Sequence, residues 1–258
     1  MPPPVFAGIL KRMKTGWKKI LPLFLLSTVL PLGQAQEDGG GEGVETVEKL
    51  QNLEPTTNAG GQALGQAESQ KVVYVIPVRD DIMPPILYVI RRGVKEAMEA
   101  EADCLIIDME TNGGRVDITE EIFGIIDKFK GETVTYVNRD AYSAGAFIAV
   151  STDQIYMAPQ SVIGAAAPIM MGPGGGASEL PSTMEAKMNS AIRAKIRTQA
   201  EKNGYAIDVI EAMVDKSKTL ERDGKTICAE GEILTLTDIE AATKYGDDQT
   251  PLLSSGTI

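Results

Sequence analysis

Between Val72 and Val137 three short apolar runs alternate with two amphipathic stretches, and this alternation constrains the fold more than any other feature of the sequence. Val72 to Val78 (VVYVIPV), Cys104 to Asp108 (CLIID) and Thr133 to Val137 read as strands, the first two almost continuously apolar, as in strands buried on both faces. After Pro84 and Pro85, the residues Ile86, Ile90, Val94, Ala97 and Met98 recur at helical spacing; Ile118, Ile122, Ile125, Ile126 and Phe129 do so again. Strand and helix in turn predict an α/β fold with largely parallel pairing, and the first run is expected to be central in the sheet. Further on, Gln154 to Met157 reads as a short strand, Gly172 to Gly176 as a loop, Pro181 to Asn203 as a long helix closed by Gly204, and Ile207 to Val214 as another helical stretch. Asp223-Gly224 within Glu221 to Leu236 signals a hairpin, and Thr237-Asp238-Ile239-Glu240 a capping box opening a last helix to Tyr245.

What precedes this domain reads differently. Residues 1–35 carry five bases and no acid, an apolar run from Ile20 to Leu32, and then Gly33-Gln34-Ala35, the order of a secretory signal peptide. The run holds 13 residues and two prolines, short of the roughly 20 that span a bilayer; an uncleaved anchor is the alternative. Residues 36–70 are acidic and glycine-rich with few large apolar residues, the composition of a disordered linker. The folded domain is therefore expected at 71–258, exported to the periplasm or another extracytoplasmic space, and tethered to the membrane if the signal stays.

Composition then narrows the chemistry. The chain of 258 residues carries a formal charge of −11 and no histidine. The negative body disfavours nucleic acid as a partner. Without imidazole there is neither a Ser-His-Asp triad nor a histidine-ligated metal, so proton transfer falls to Lys, Asp, Glu, Tyr or Cys. The two cysteines, Cys104 and Cys228, are too few for a disulfide framework, and Cys104, set in a buried strand, is expected to be a free thiol. No cofactor and no metal is implied.

Two constellations could carry a reaction. Asn112-Gly113-Gly114-Arg115-Val116 and Tyr142-Ser143-Ala144-Gly145-Ala146 each follow a strand, where open α/β sheets place their sites. A glycine pair turns tightly and presents N–H groups without a Cβ in the way, and a serine opening a helix stands beside unpaired N–H donors. A nucleophile and two backbone donors are parts of an acyl-transfer site. Singly, each motif is more often a plain turn or a close-packed helix start.

The segments Asp108 to Val116 (DMETNGGRV), Ala141 to Ala149 (AYSAGAFIA) and Met157 to Gly164 (MAPQSVIG) resemble successive motifs of the ClpP-class serine peptidases, and most closely the membrane-associated NfeD-type branch. The resemblance runs from about Val72 to Gly246. It implies a ClpP/crotonase-like repeated β-β-α spiral with a long helix and a C-terminal hairpin and helix, and a homo-oligomer. It implies Ser143 as nucleophile, Gly114 and Ala144 as oxyanion-hole donors, Gly113 with Met170 and Met171 along the substrate, and Lys187 as the base of a Ser-Lys dyad. Lys195, two turns on, competes for that role. An ordinary lysine titrates at about 10.4, so burial would have to favour the neutral amine, and Lys187 is expected to find it among Met184, Ala186, Met188 and Ala191. Asn112 stands where most relatives have proline, which would loosen the loop. The function implied is an exported serine endopeptidase acting on apolar or membrane-proximal segments, with a peptide or membrane protein as substrate and a separate partner supplying membrane anchorage. The alternatives are a catalytically silent peptide-binding or scaffolding protein and, less well supported, an acyl-CoA enzyme.

Overall fold

The computed structural model describes residues 71–168, 170–171, 177–178 and 182–258. The expected signal peptide, linker and glycine-rich loop at 172–176 lie outside them.

In chain order the core begins with β1 (Val73–Val78), α1 (Pro84–Glu99), β2 (Cys104–Thr111), α2 (Val116–Ile126) and β3 (Glu132–Tyr142), followed by α3 (Ala144–Val150), β4 (Gln154–Met157) and β5 (Val162–Gly164). Two-residue strands β6 (Met170–Met171) and β7 (Ala177–Ser178) precede the long helix α4 (Ser182–Asn203) and α5 (Ile207–Ala212). The chain ends through β8 (Leu220–Arg222), β9 (Lys225–Cys228), β10 (Thr235–Thr237), α6 (Asp238–Ala242), β11 (Lys244–Tyr245), β12 (Thr250–Pro251) and β13 (Gly256–Thr257). The main sheet runs β1-β2-β3-β4-β13, parallel throughout; β5 also pairs with β3 in parallel, and β10 with β5 antiparallel. This is the mixed α/β architecture with largely parallel pairing that the strand-helix alternation predicts.

The helical spacing of α1 buries Ile86, Ile90, Val94 and Ala97 against one sheet face, where Ile76, Val78, Leu105, Ile107 and Met109 meet them. Met98, expected on that stripe, is exposed instead. β2 is filled as expected: Leu105, Ile106 and Ile107 are wholly buried, and truncating Ile107 to Ala would cost about 2–5 kcal/mol.

Three expectations need correction. β1 is not central: among the described residues it pairs only with β2, and Val73, Tyr74 and Val75 are partly exposed. Pro77 has no N–H to give a second neighbour, and an edge tolerates that. The hairpin closes at Cys228, where β9 ends, because β10 leaves it to pair with β5. The last helix stops at Ala242 and not Tyr245, although its capping box is formed as predicted, with Thr237 Oγ1 accepting from the Glu240 N–H and the Glu240 carboxylate accepting from the Thr237 N–H.

Gly124 lies on the exposed side of α2 and has open space where a Cβ would go. Gly124→Ala should therefore raise stability by about 0.5–1 kcal/mol, read as a higher denaturation midpoint at unchanged slope. A lower midpoint would contradict this packing.

Candidate active site

The two glycine- and serine-bearing motifs meet. β3 runs on past Val137, where the sequence pattern ends it, to Tyr142. Its first half pairs with β4, from Val134 opposite Gln154 to Val137 opposite Met157, and its last residues pair with β5, Tyr142 opposite Gly164. At the end of this longer strand Ser143 adopts φ 50° and ψ −117° before α3 begins. A positive φ is strained for a non-glycine residue, by about 1–3 kcal/mol, and such strain persists only where the surroundings enforce it. Here the Ser143 N–H donates to Gly164 O at 3.0 Å, and Ser143 O accepts from Phe147 N at 3.3 Å. Ser143 is half-buried, and its Oγ makes no hydrogen bond to any described residue.

Opposite it lies the loop after β2. Gly113 takes φ 109°, and a Cβ there would stand 2.5 Å from Ser143 Cβ. Gly114 takes φ 156°, and a Cβ there would stand 2.3 Å from Ile82 O. The missing Cβ atoms are what allow the loop to lie against both the serine and the chain at Ile82. That chain is hydrogen-bonded to the loop on both sides, Ile82 N donating to Gly113 O at 2.7 Å and Arg115 N to Ile82 O at 2.9 Å. These bonds hold the loop from Gly113 to Arg115. Among the described residues neither the Gly114 nor the Ala144 N–H donates a hydrogen bond. Gly114 is exposed and Ala144 opens α3. The glycine loop and Ser143 are thus in contact, with the Gly114 and Ala144 N–H groups unengaged among the described residues.

Tyr142 adjoins the serine, while the two cysteines lie elsewhere in the fold. Burial, and then Asp140, push the Tyr142 hydroxyl above its usual range, so it stays protonated at neutral pH. Burial, reinforced by Glu132, Asp153 and Asp103, drives the Cys104 thiol far up, and Cys228 is raised by burial and Glu232. Both are free and buried thiols, as expected of Cys104. In the native protein Cys104 should resist a maleimide at neutral pH and react only on unfolding; a Cys104–Cys228 crosslink in a non-reducing peptide map would contradict this.

The lysines are placed differently from expectation. α4 packs on the domain through Ile192, Ile196 and Ala200, all buried. Lys187 lies roughly 140–220° round the helix from that stripe. It is exposed, as are Met184 and Ala191, while Met188 is half-buried. No hydrogen bond joins Lys187 Nζ to Ser143 Oγ among the described residues. Lys195 flanks the buried stripe and ion-pairs with Glu120 of α2, beside a small apolar cleft lined by Val116, Phe123, Phe147, Ile192 and Ile196. Met170 pairs with Ser178 and Met171 with Ala177; their side chains lie outside the described residues.

Composition and spacing did not identify the anchoring of this site by Ile82, Thr111 and Gly164. Only Thr111 and Gly164 fell inside quoted motifs, and nothing about Ile82 in sequence marks a residue that closes a loop by its backbone.

Comparison with known proteins follows the same outline. The model of the NfeD1b N-terminal domain matches residues 72–251. Membrane protein NfeD1b of Bacillus subtilis strain 168 is 35% identical over 178 residues, covering 69% of this chain and 38% of its own length. Membrane-bound protease PH1510 of Pyrococcus horikoshii is 30% identical over 157 residues, covering 59% of this chain and 34% of its own. The chain thus spans little more than a third of these relatives. Among solved structures, the 1510-N membrane-bound stomatin-specific protease superimposes in two forms. Its serine-to-alanine mutant gives a TM-score of 0.58 at 25% identity, covering 74% of this chain and 81% of that one. Its lysine-to-alanine mutant in complex with a substrate peptide gives 0.58 at 25%, covering 73% and 75%. With the match running from the first strand of the sheet to Pro251, this chain belongs to the NfeD1b N-terminal domain family and carries its ClpP-like fold.

Proposed function

We propose that this domain is a serine endopeptidase that hydrolyses peptide bonds in apolar or membrane-proximal segments. The observation that carries the reading is the strained Ser143 beside the unengaged N–H groups of Gly114 and Ala144. In this mechanism Ser143 Oγ attacks the peptide carbonyl, the two N–H groups hold the oxyanion, and the neutral amine of Lys187 takes the serine proton and returns it to the leaving amine. Water then releases the acyl group by the same route in reverse. An extended substrate would lie along Gly113 and Gly114, with Met170 and Met171 beside it.

Two features support a serine-lysine pair. The chain has no histidine. In the 1510-N protease the mutated serine and lysine lie 41 residues apart; here Lys187 follows Ser143 by 44 residues and Lys195 by 52, so Lys187 is the nearer counterpart. Since Lys187 is exposed among the described residues, the mechanism requires its amine to be covered by the glycine-rich segment 172–176, which lies outside them, by bound substrate or by a second copy of the chain. Membrane association accords with relatives described as a membrane protein and a membrane-bound protease, and we propose in addition a place outside the cytoplasm and a homo-oligomer; no described helix is long and apolar enough to cross a membrane.

The exposure of Lys187 also favours a second reading, a silent ClpP-like domain that binds peptides without cutting them. A fluorophosphonate probe separates the two: stoichiometric labelling mapped to Ser143 is expected of the peptidase, and peptide binding with an unlabelled Ser143 would establish the silent form.

A further inference from the structure

We infer that Thr111 is a positioning residue that sets the oxyanion loop against the nucleophile. The inference rests on the peptidase reading and deepens it. Thr111 ends β2 just past the point where the β2–β3 register breaks, between Met109 and Thr111. Its side chain is almost completely buried, at 4% exposure, and it touches three separate parts of the site. The hydroxyl donates its one proton to Asp80 O at 2.8 Å, tying the loop to the segment that leads from β1 into Ile82. The same oxygen accepts from Gly113 N at 3.2 Å, holding the Asn112–Gly113 peptide. The methyl group, Cγ2, lies where a Cβ on Gly145 would come within 2.6 Å, so it seats directly on the first turn of the helix opened by Ser143.

Each contact has a consequence for the geometry of catalysis. The peptide plane that carries Gly114 N–H is held by Ile82 N donating to Gly113 O, and the plane before it by Thr111 Oγ1 accepting from Gly113 N, so the two bonds together set the φ and ψ of Gly113 and hence where Gly114 N–H aims. The bond to Asp80 O acts on the same stretch that Ile82 clamps from the other side, at Gly113 O and Arg115 N. The methyl contact refers both to the helix carrying the nucleophile. Asn112 has no ring to restrict its φ, and this buried hydroxyl supplies a restraint on the loop from outside it. Donor and acceptor capacity are both used: removing the oxygen leaves Gly113 N–H and Asp80 O each short of a partner.

The test uses the full chain with Thr111→Val, which keeps the shape and loses the hydroxyl, and Thr111→Ser, which keeps the hydroxyl and loses the methyl. At a temperature where thermal unfolding shows all forms folded, the rate of Ser143 labelling by a fluorophosphonate is measured together with amide hydrogen exchange at Gly113. The phosphonyl oxygen occupies the position of the oxyanion, so Thr111→Val should slow labelling by about ten- to a hundred-fold and speed exchange at Gly113, while Thr111→Ser should recover most of the rate. Wild-type labelling in folded Thr111→Val would overturn the inference and leave Thr111 a packing residue, whatever its effect on melting. If Ser143 of the wild type is not labelled at all, the peptidase reading itself fails; faster Gly113 exchange in Thr111→Val would then show a structural tie and rule out its role in positioning for the reaction.

Discussion

Replacing Ser143 with Ala should abolish peptide hydrolysis, lowering kcat/KM by at least about 10⁴-fold, because nothing else at the end of β3 can form the acyl intermediate. Lys187→Ala should be nearly as damaging, and the double variant no worse than either, since nucleophile and base act in one step and their losses do not add. Lys187→Arg should also fail, a guanidinium being unable to accept the proton. Because the base must be neutral to take the proton, the wild-type rate should rise with pH. Lys195→Ala is the control. Its ion pair with Glu120 is largely exposed, and such pairs contribute about 0–1 kcal/mol, so activity should persist with a small change in stability. Hydrolysis of an apolar peptide by these variants across about pH 6–10 gives the answer. Full activity in Lys187→Ala with loss in Lys195→Ala would move the base to Lys195; turnover surviving Ser143→Ala would end the serine-peptidase reading.

The second large effect concerns the loop glycines. Gly113→Ala places a Cβ 2.5 Å from Ser143 Cβ, and Gly114→Ala places one 2.3 Å from Ile82 O, each at a φ that L-residues rarely adopt. Neither obstacle is the end of a flexible side chain: one is the root of the nucleophile's side chain and the other is backbone. Overpacking and backbone strain together should cost about 2–5 kcal/mol for each variant, and relief of the clash must shift either the serine or the loop. Activity should therefore fall by more than the unfolded fraction accounts for. Denaturant titrations beside probe labelling test this; Gly114→Ala with native stability and native labelling would show that the loop is freer than its contacts with Ile82 indicate.

The parts of this fold legible in the sequence were those written in local pattern. The apolar stripe of α1, the hairpin turn at Asp223-Gly224 and the capping box at Thr237 each announce themselves within a few residues, and each forms. What depends on distant partners was not legible. An apolar β1 reads the same at an edge as in the middle, and only Pro77 hints which it is. β3 continues to Tyr142 because β5 offers it a second partner, a fact of tertiary pairing that the polar Asn138, Arg139 and Asp140 conceal. The same division holds at the site. Glycine and serine motifs marked the loop and the nucleophile, whereas the side on which Lys187 falls follows from which residues of α4 are buried. The spacing of Ile192, Ile196 and Ala200 carried that signal, and the small residues around Lys187 pointed the other way.

The change of partner along β3 has a consequence for the order in which the molecule can become competent. Gly164, whose carbonyl accepts from Ser143 N–H, is itself held on its other side by β10: it pairs with Thr235, and Ala165 N donates to Leu234 O. The conformation of the nucleophile is thus braced by residues that come far later in the chain. During synthesis, a polypeptide that has not yet reached Leu234 possesses the serine, the glycine loop and the lysine but lacks this brace, and without it Ser143 is free to relax to an ordinary negative φ. On the peptidase reading, the conformation of Ser143 proposed for catalysis is complete only once the end of the domain is in place.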